Sequence, residues 1–182
     1  EPLTGADAAL ALALEPVSSL LARAIDLLHR AVASAGGEPA CVAVARAVAR
    51  AQPSMGGFWT AAAAALWSPV RYRVRLDRAP RAMARLAVET LGVGRPAGAP
   101  LHLVTWSASA SVVACCHALG ADRPLVVSCG EGRPALEGRR LAATLAFGGI
   151  TVRLATDGGV GEALEEADVG LVGAGAVLPD QR

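Results

Sequence analysis

The apolar residues of this chain change their period near residue 100, and that switch constrains the fold more than any other feature. Before it, apolar side chains recur at helical spacing. Residues 6–35 carry Leu10, Leu14, Val17, Leu20, Leu21, Ile25, Leu28 and Val32, with Pro16 placed to split the run and Gly36-Gly37 to end it. Further helices are predicted over 39–51, 55–66 and 80–91, with a turn at Gln52-Pro53-Ser54 and a stop at Gly92. Gly94-Arg95-Pro96-Ala97-Gly98 then reads as a linker. Beyond it, short strand-like runs at 101–105, 124–128, 150–155 and 169–172 alternate with helical ones ending at 119 or spanning 134–147 and 160–166. Strands separated by helices argue a parallel sheet with right-handed crossovers. The expected architecture is α/β: a helical N-terminal domain over 1–94, then a parallel-sheet domain over 100–182 that is incomplete at its C-terminus. Its last strand would lie near an open edge.

Composition excludes several classes of protein. Hydrophobic residues make up 53% and charged residues 18%, so the chain has ample apolar surface to bury and is not disordered. Alanine occurs 41 times and lysine not at all, so all 17 basic residues are arginine, a bias that fits a G+C-rich genome and carries no function. The formal charge of +1 gives no reason to expect nucleic acid as a partner. The cluster Arg71, Arg73, Arg75 and Arg78 reads first as a solvated or interdomain face, with RNA binding as the lesser alternative. Residues 51–70 and 101–121 are uncharged, but prolines and glycines interrupt the first, and the second holds two histidines and several hydroxyls. Neither is the run of about 20 apolar residues that a membrane helix needs. No signal peptide is visible. We expect a soluble, cytoplasmic fragment with no membrane partner.

The four cysteines, Cys41, Cys115, Cys116 and Cys129, form no C-x-x-C pair or metal-ligand spacing, so buried structural thiols and no metal are expected. Trp59 and Trp67 are expected to pack the helical domain. His29 and His117 are expected to be solvated or core residues, and His102 to be buried against a helix.

In an open parallel sheet, ligands sit beyond the carboxyl ends of the strands. The first such loop carries Ser107, Ser109 and Ser111 at a helix start, where hydroxyls and free N–H groups form an anion site. The plain alternative is that these serines only cap the helix. In the second, Cys129-Gly130-Glu131-Gly132-Arg133-Pro134, Glu131 and Arg133 would project into the crevice and Pro134 would open the helix. They too have a plain alternative, a local ion pair bracing the loop. Asp157, ending the third strand, is placed to accept hydrogen bonds from sugar hydroxyls. Gly158-Gly159-Val160-Gly161 lacks the spacing of a dinucleotide loop.

These segments fall in a familiar order. Thr105-Trp106-Ser107-Ala108-Ser109, then Glu131-Gly132-Arg133-Pro134 with Gly138, Gly149-Ile150, Thr156-Asp157, Asp168 and Val172-Gly173-Ala174 resemble the translation initiation factor 2B alpha/beta/delta family. Thr4-Gly5-Ala6 and Gln52-Pro53-Ser54-Met55 resemble its earlier elements. That family includes methylthioribose-1-phosphate isomerase and ribose-1,5-bisphosphate isomerase. The resemblance implies a helical domain followed by a Rossmann-like α/β domain. The isomerases use a cysteine and an aspartate to shift a proton between adjacent sugar carbons, and an arginine to help hold the phosphate. The matching positions here are Ser107, Gly175 and Thr4, none of which offers that chemistry. The expectation is therefore a non-catalytic, regulatory or assembly protein. It would bind a small phosphorylated sugar or nucleotide through Ser107, Ser109, Ser111, Glu131, Arg133 and Asp157, without a cofactor, and form a homodimer through its α/β domain. The alternative is a sugar-phosphate aldose–ketose isomerase in which Asp157 or Cys129 replaces the lost groups.

Overall fold

The computed structural model describes residues 38–174 except Gln52, Ser68 and Ser107, together with Arg23, Ala24, Asp26, Leu27, Leu28 and Arg30. Thr4, His29 and Gly175, and most of the helix expected over 6–35, lie outside the described residues. The chain divides into two compact units, 1–77 with 174–182, and 78–173.

In the first unit, α1 (Glu38–Ala51) packs against α2 (Gly56–Trp67). Val44, Ala45, Val48 and Ala49 of α1 bury against Phe58, Ala61 and Ala62 of α2, with Ala24, Leu27 and Leu28 completing the core. Trp59 and Trp67, expected in that core, lie outside it at 52% and 90% exposure. The helical period explains the correction. Positions 58, 61 and 62 share one face, and 59, 63, 66 and 67 fall on another.

The helix expected over 80–91 is the second half of a longer one, α3 (Pro69–Gly92). Proline is favoured in the first helical turn, and both Pro69 and Pro80 satisfy that sequence rule. The helix starts at Pro69 and runs through Pro80, which cannot supply the N–H that would bond the carbonyl of residue 76. The division between the compact units falls beside this missing bond. Ala87, Val88 and Leu91, on the far side of Pro80, pack against the core of the second unit.

The second unit contains β1 (Leu101–Thr105), α4 (Ala110–Asp122), β2 (Leu125–Gly130), α5 (Glu137–Phe147) and β3 (Thr151–Ala155). A 3-10 turn (Asp157–Gly159), α6 (Val160–Glu166) and the two-residue β4 (Val169–Gly170) follow. All pairings are parallel, in the order β3-β2-β1-β4. Alternate residues of the central strands, Leu101, Leu103, Leu125, Val127 and Cys129, join Val112, Cys116 and Leu119 of α4 and Leu141 and Leu145 of α5 in one core. The intervening residues face α6. There, half-buried His102 bridges the Oγ of Ser128, 2.8 Å from its Nε2, and the carbonyl of Glu166, 3.1 Å from its Nδ1. His117, on α4, is exposed. Among the described residues no helix is long and apolar enough to cross a membrane.

Candidate anion-binding site

The strand order places β2 and β3 on one side of β1 and β4 on the other. The crevice of such a sheet opens at the carboxyl ends, where the connections diverge. Thr105 closes β1 with its hydroxyl buried and without a hydrogen-bond partner. Half-buried Ser109 precedes α4, in extended conformation, and its hydroxyl makes no capping bond. The intrahelical ladder starts with the N–H of Val113 on the Ser109 carbonyl, 2.9 Å, so the N–H groups of Ala110, Ser111 and Val112 have no helical acceptor. Simple capping, the plain reading of these serines, does not describe Ser109. Ser111 lies half-buried in the first turn, and Ser107 is outside the described residues. Across the crevice, a Cβ on Gly173 would stand 2.8 Å from the Cβ of Ser109, so the chain after β4 closes tightly on this loop.

The loop after β2 is built by close backbone approach. A Cβ at Gly138 would run into the carbonyl oxygen of Gly130, which is why glycine stands there, and Gly132 adopts a φ of +73°. Residues 133–136 make a turn and α5 begins only at Glu137, so Pro134 does not open the helix as expected. The Arg133–Pro134 bond is cis, and proline's tertiary amide is what makes that geometry accessible.

Two carboxylates organise this loop. Asp157 accepts the backbone N–H of Gly132 at Oδ1 and that of Arg133 at Oδ2, both at 2.8 Å. Those N–H groups of Arg133 and Gly132 hold its pKa below the ordinary carboxylate value. Asp157 thus clasps the neighbouring loop, and each of its oxygens already accepts one bond. The Glu131 side chain is 7% exposed, and its backbone N–H is held by the carbonyl of Ala155. Its Oε1 receives the Nε–H of Arg133 at 2.6 Å and its Oε2 an Nη2–H of Arg139 at 2.9 Å. These bonds, Arg133 first, push the Glu131 pKa down against the opposing effect of burial. The pairing of Glu131 with Arg133 is the local ion pair that the sequence offered as the plain alternative. Arg139 was not singled out from the sequence. The close approach of Gly138 to Gly130, which no sequence pattern announces, carries the next residue back to Glu131.

The two guanidiniums are 70% and 53% exposed while their shared carboxylate is buried. A guanidinium has five donors, so both keep several for a further anion. Asp168, by contrast, works at the opposite end of the strands. It accepts the N–H of His102 at 2.8 Å and the guanidinium of Arg95 at 2.9 Å. Cys115, Cys116 and Cys129 are buried free thiols, as expected, and burial pushes all three pKa values up, that of Cys116 to about 12. Among the described residues no cluster of three His, Cys, Asp or Glu could hold a metal ion.

The fold is similar to that of solved translation initiation factors. The Pyrococcus horikoshii OT3 translation initiation factor eIF-2B superposes with a TM-score of 0.77 at 20% identity, covering 95% of this chain and 66% of that one. The tetrameric eIF2B-beta2-delta2 complex from C. thermophilum gives 0.68 at 14% identity, with 95% and 66% covered. The eIF2B delta chain from Chaetomium thermophilum gives 0.66 at 18% identity, with 96% and 77% covered. This chain therefore spans 66% of the length of the first two. No curated protein matches it by sequence. The pattern of the Initiation factor 2 subunit family matches residues 38–181, most of the chain, and the chain belongs to that family.

Proposed function

We propose that this protein is a non-catalytic, regulatory or assembly member of its family that binds a small phosphorylated sugar or nucleotide at the carboxyl ends of β1–β3. The observation that carries this reading is the buried Glu131 carboxylate holding two exposed guanidiniums, Arg133 on the loop after β2 and Arg139 in the first turn of α5. With the ionised Asp157 beside Arg133, the two carboxylates and two guanidiniums balance in charge, so the pull on an anion comes from the outward guanidinium donors, which suit the oxygens of a phosphate. The N–H groups at the start of α4 that have no helical acceptor, with Ser107, Ser109 and Ser111, would complete the grip. Asp157 keeps a second lone pair on each oxygen for a sugar hydroxyl, although its main work is to hold the loop. The same reading takes the protein as cytoplasmic and as a homodimer through its α/β unit, the pairing that the resemblance implies.

The groups that could stand in for a missing acid and base in an isomerase are both committed. Asp157 is bound to two backbone N–H groups, and the Cys129 thiol is buried with its pKa raised by desolvation, which disfavours its thiolate. That favours binding over turnover.

Thermal unfolding against a panel of sugar phosphates and nucleoside monophosphates tests the reading. The expected result is stabilisation by at least one of them, with affinity in the micromolar range or weaker, about −8 kcal/mol. It should disappear in Arg133→Ala and weaken in Arg139→Ala. No response across the panel at millimolar ligand would sink the site. Conversion of ribose-1,5-bisphosphate or methylthioribose-1-phosphate, followed by NMR, would overturn the non-catalytic assignment.

A further inference from the structure

Helix α2 has the sequence Gly-Gly-Phe-Trp-Thr-Ala-Ala-Ala-Ala-Ala-Leu-Trp and contains no charged residue. A helix that is apolar all round belongs in an interior. Among the described residues only one side of α2 has such cover: Phe58, Ala61 and Ala62 meet α1. The other side presents Trp59, Ala63, Leu66 and Trp67, all exposed, in a single stripe at i, i+4, i+7 and i+8. Its one polar member, Thr60, turns its hydroxyl back onto the Gly56 carbonyl at 3.0 Å. The Trp59 ring is fixed in advance by its Nε1–H, which donates to the Pro53 carbonyl at 3.1 Å. Such a stripe, with an immobilised aromatic and no charge, has the composition of an interface centre.

The stripe is symmetric about Ala63. Trp59 and Trp67 lie four residues to either side, and Thr60 and Leu66 three. We propose that this face of α2 pairs antiparallel with the same face of a second copy of the chain, about a two-fold axis at Ala63. In that register Trp59 of each copy meets Trp67 of the other, and Thr60 meets Leu66. The small side chain at the centre allows axes about 8–10 Å apart. An isologous contact needs a patch complementary to itself, which this spacing supplies without any charge to oppose it. Polar or basic partners find no matching group on the stripe.

At about 250 Å² for a whole indole, the exposed fractions of Trp59 and Trp67 give roughly 350 Å² per copy, or about 700 Å² per pair, before Leu66 and Ala63 are added. A stable dimer buries about 1,200 Å² or more, so the pairing belongs to the weak, reversible class. It is a separate surface from any contact made by the α/β unit.

Sedimentation over roughly two decades of concentration around 10 μM tests it, with the unsubstituted protein compared against Trp67→Glu. Trp67 is almost wholly exposed, so the substitution leaves the core untouched, and an unchanged thermal midpoint for the dilute variant verifies that. The unsubstituted protein should show a concentration-dependent step that Trp67→Glu lacks. Combining Trp59→Arg with Trp67→Glu should restore the step, because the antiparallel register sets each acid opposite a base. Identical profiles for the unsubstituted protein and Trp67→Glu would overturn the surface. A double variant that stays as dissociated as the single one would overturn the register.

Discussion

Three carboxylates in this molecule are held in their ionised form by bonds that exist only in the fold. Asp157 takes the backbone N–H groups of Arg133 and Gly132, Glu131 the guanidiniums of Arg133 and Arg139, and Asp168 the N–H of His102 with Arg95. Each pKa lies below its ordinary value, 4.5 for the glutamate and 3.8 for the aspartates. On acidification the unfolded chain therefore takes up protons first. Their contribution is complete above the unfolded values and is lost as pH falls through the folded ones. The thermal midpoint should thus hold steady down to about pH 4.5 and fall below it. Asp157→Asn should start lower at neutral pH, since an amide offers one acceptor oxygen where two N–H groups need one each. It should then lose less on acidification; parallel curves for the two proteins would remove Asp157 as the brace of the loop. Only part of this was legible in the sequence. Glu131 and Arg133 stand two residues apart, and their pairing can be read directly. The partners of Asp157 are backbone groups 24 and 25 residues away, and no side-chain pattern announces them.

At the scale of elements, the strands were the most legible part, because runs such as Leu101-His102-Leu103-Val104-Thr105 and Leu125-Val126-Val127 leave little choice. Both sit at the centre of the sheet and are buried on both faces, which keeps their apolar content high. Starts of helices were read less well at Pro80 and Pro134, although Pro39 marked its helix start to within one residue. Pro134 and Pro80 both look like first-turn prolines, yet one lies in a turn before α5 and the other inside α3. The rule that proline suits a first turn holds at Pro39 and Pro69, and sequence alone gives no means of ranking four candidates that all satisfy it. Inside α3 the missing N–H and the ring's clash with the preceding turn work against the helix, by about 3 kcal/mol for a typical interior site. Pro80→Ala should therefore raise stability, by about 1–3 kcal/mol in urea unfolding, with the circular-dichroism helix signal kept or increased. A loss of stability would mean that the interruption near residue 76 is needed where the two compact units divide.

At the scale of the whole molecule, the two units bury very different kinds of core. Among the described residues, the first relies on Phe58, Leu27, Leu28, Val44 and Val48 among five alanines, while the second packs six leucines and an isoleucine with valines and cysteines around its central strands. Buried apolar area sets most of the favourable term, at roughly 25 cal/mol per Å², and alanine supplies little of it. Backbone bonding reinforces the difference, since β1 and β2 are paired along their full length and covered from both faces. Opening should therefore be uneven, with α1 and α2 exchanging their amide hydrogens sooner than β1 and β2. Phe58 is the largest fully buried side chain among the described residues, so Phe58→Ala removes a large part of the first core, about 3–5 kcal/mol by analogy with other core phenylalanines. Hydrogen exchange read by mass spectrometry should show protection in α1 and α2 collapsing in this variant while β1, β2 and α5 keep theirs. The Arg133–Glu131–Arg139 cluster lies wholly within the second unit, so the thermal response to phosphorylated ligands should survive the same substitution. If protection falls equally throughout the chain, the two cores open as one, and stability cannot be assigned to each unit by what it buries.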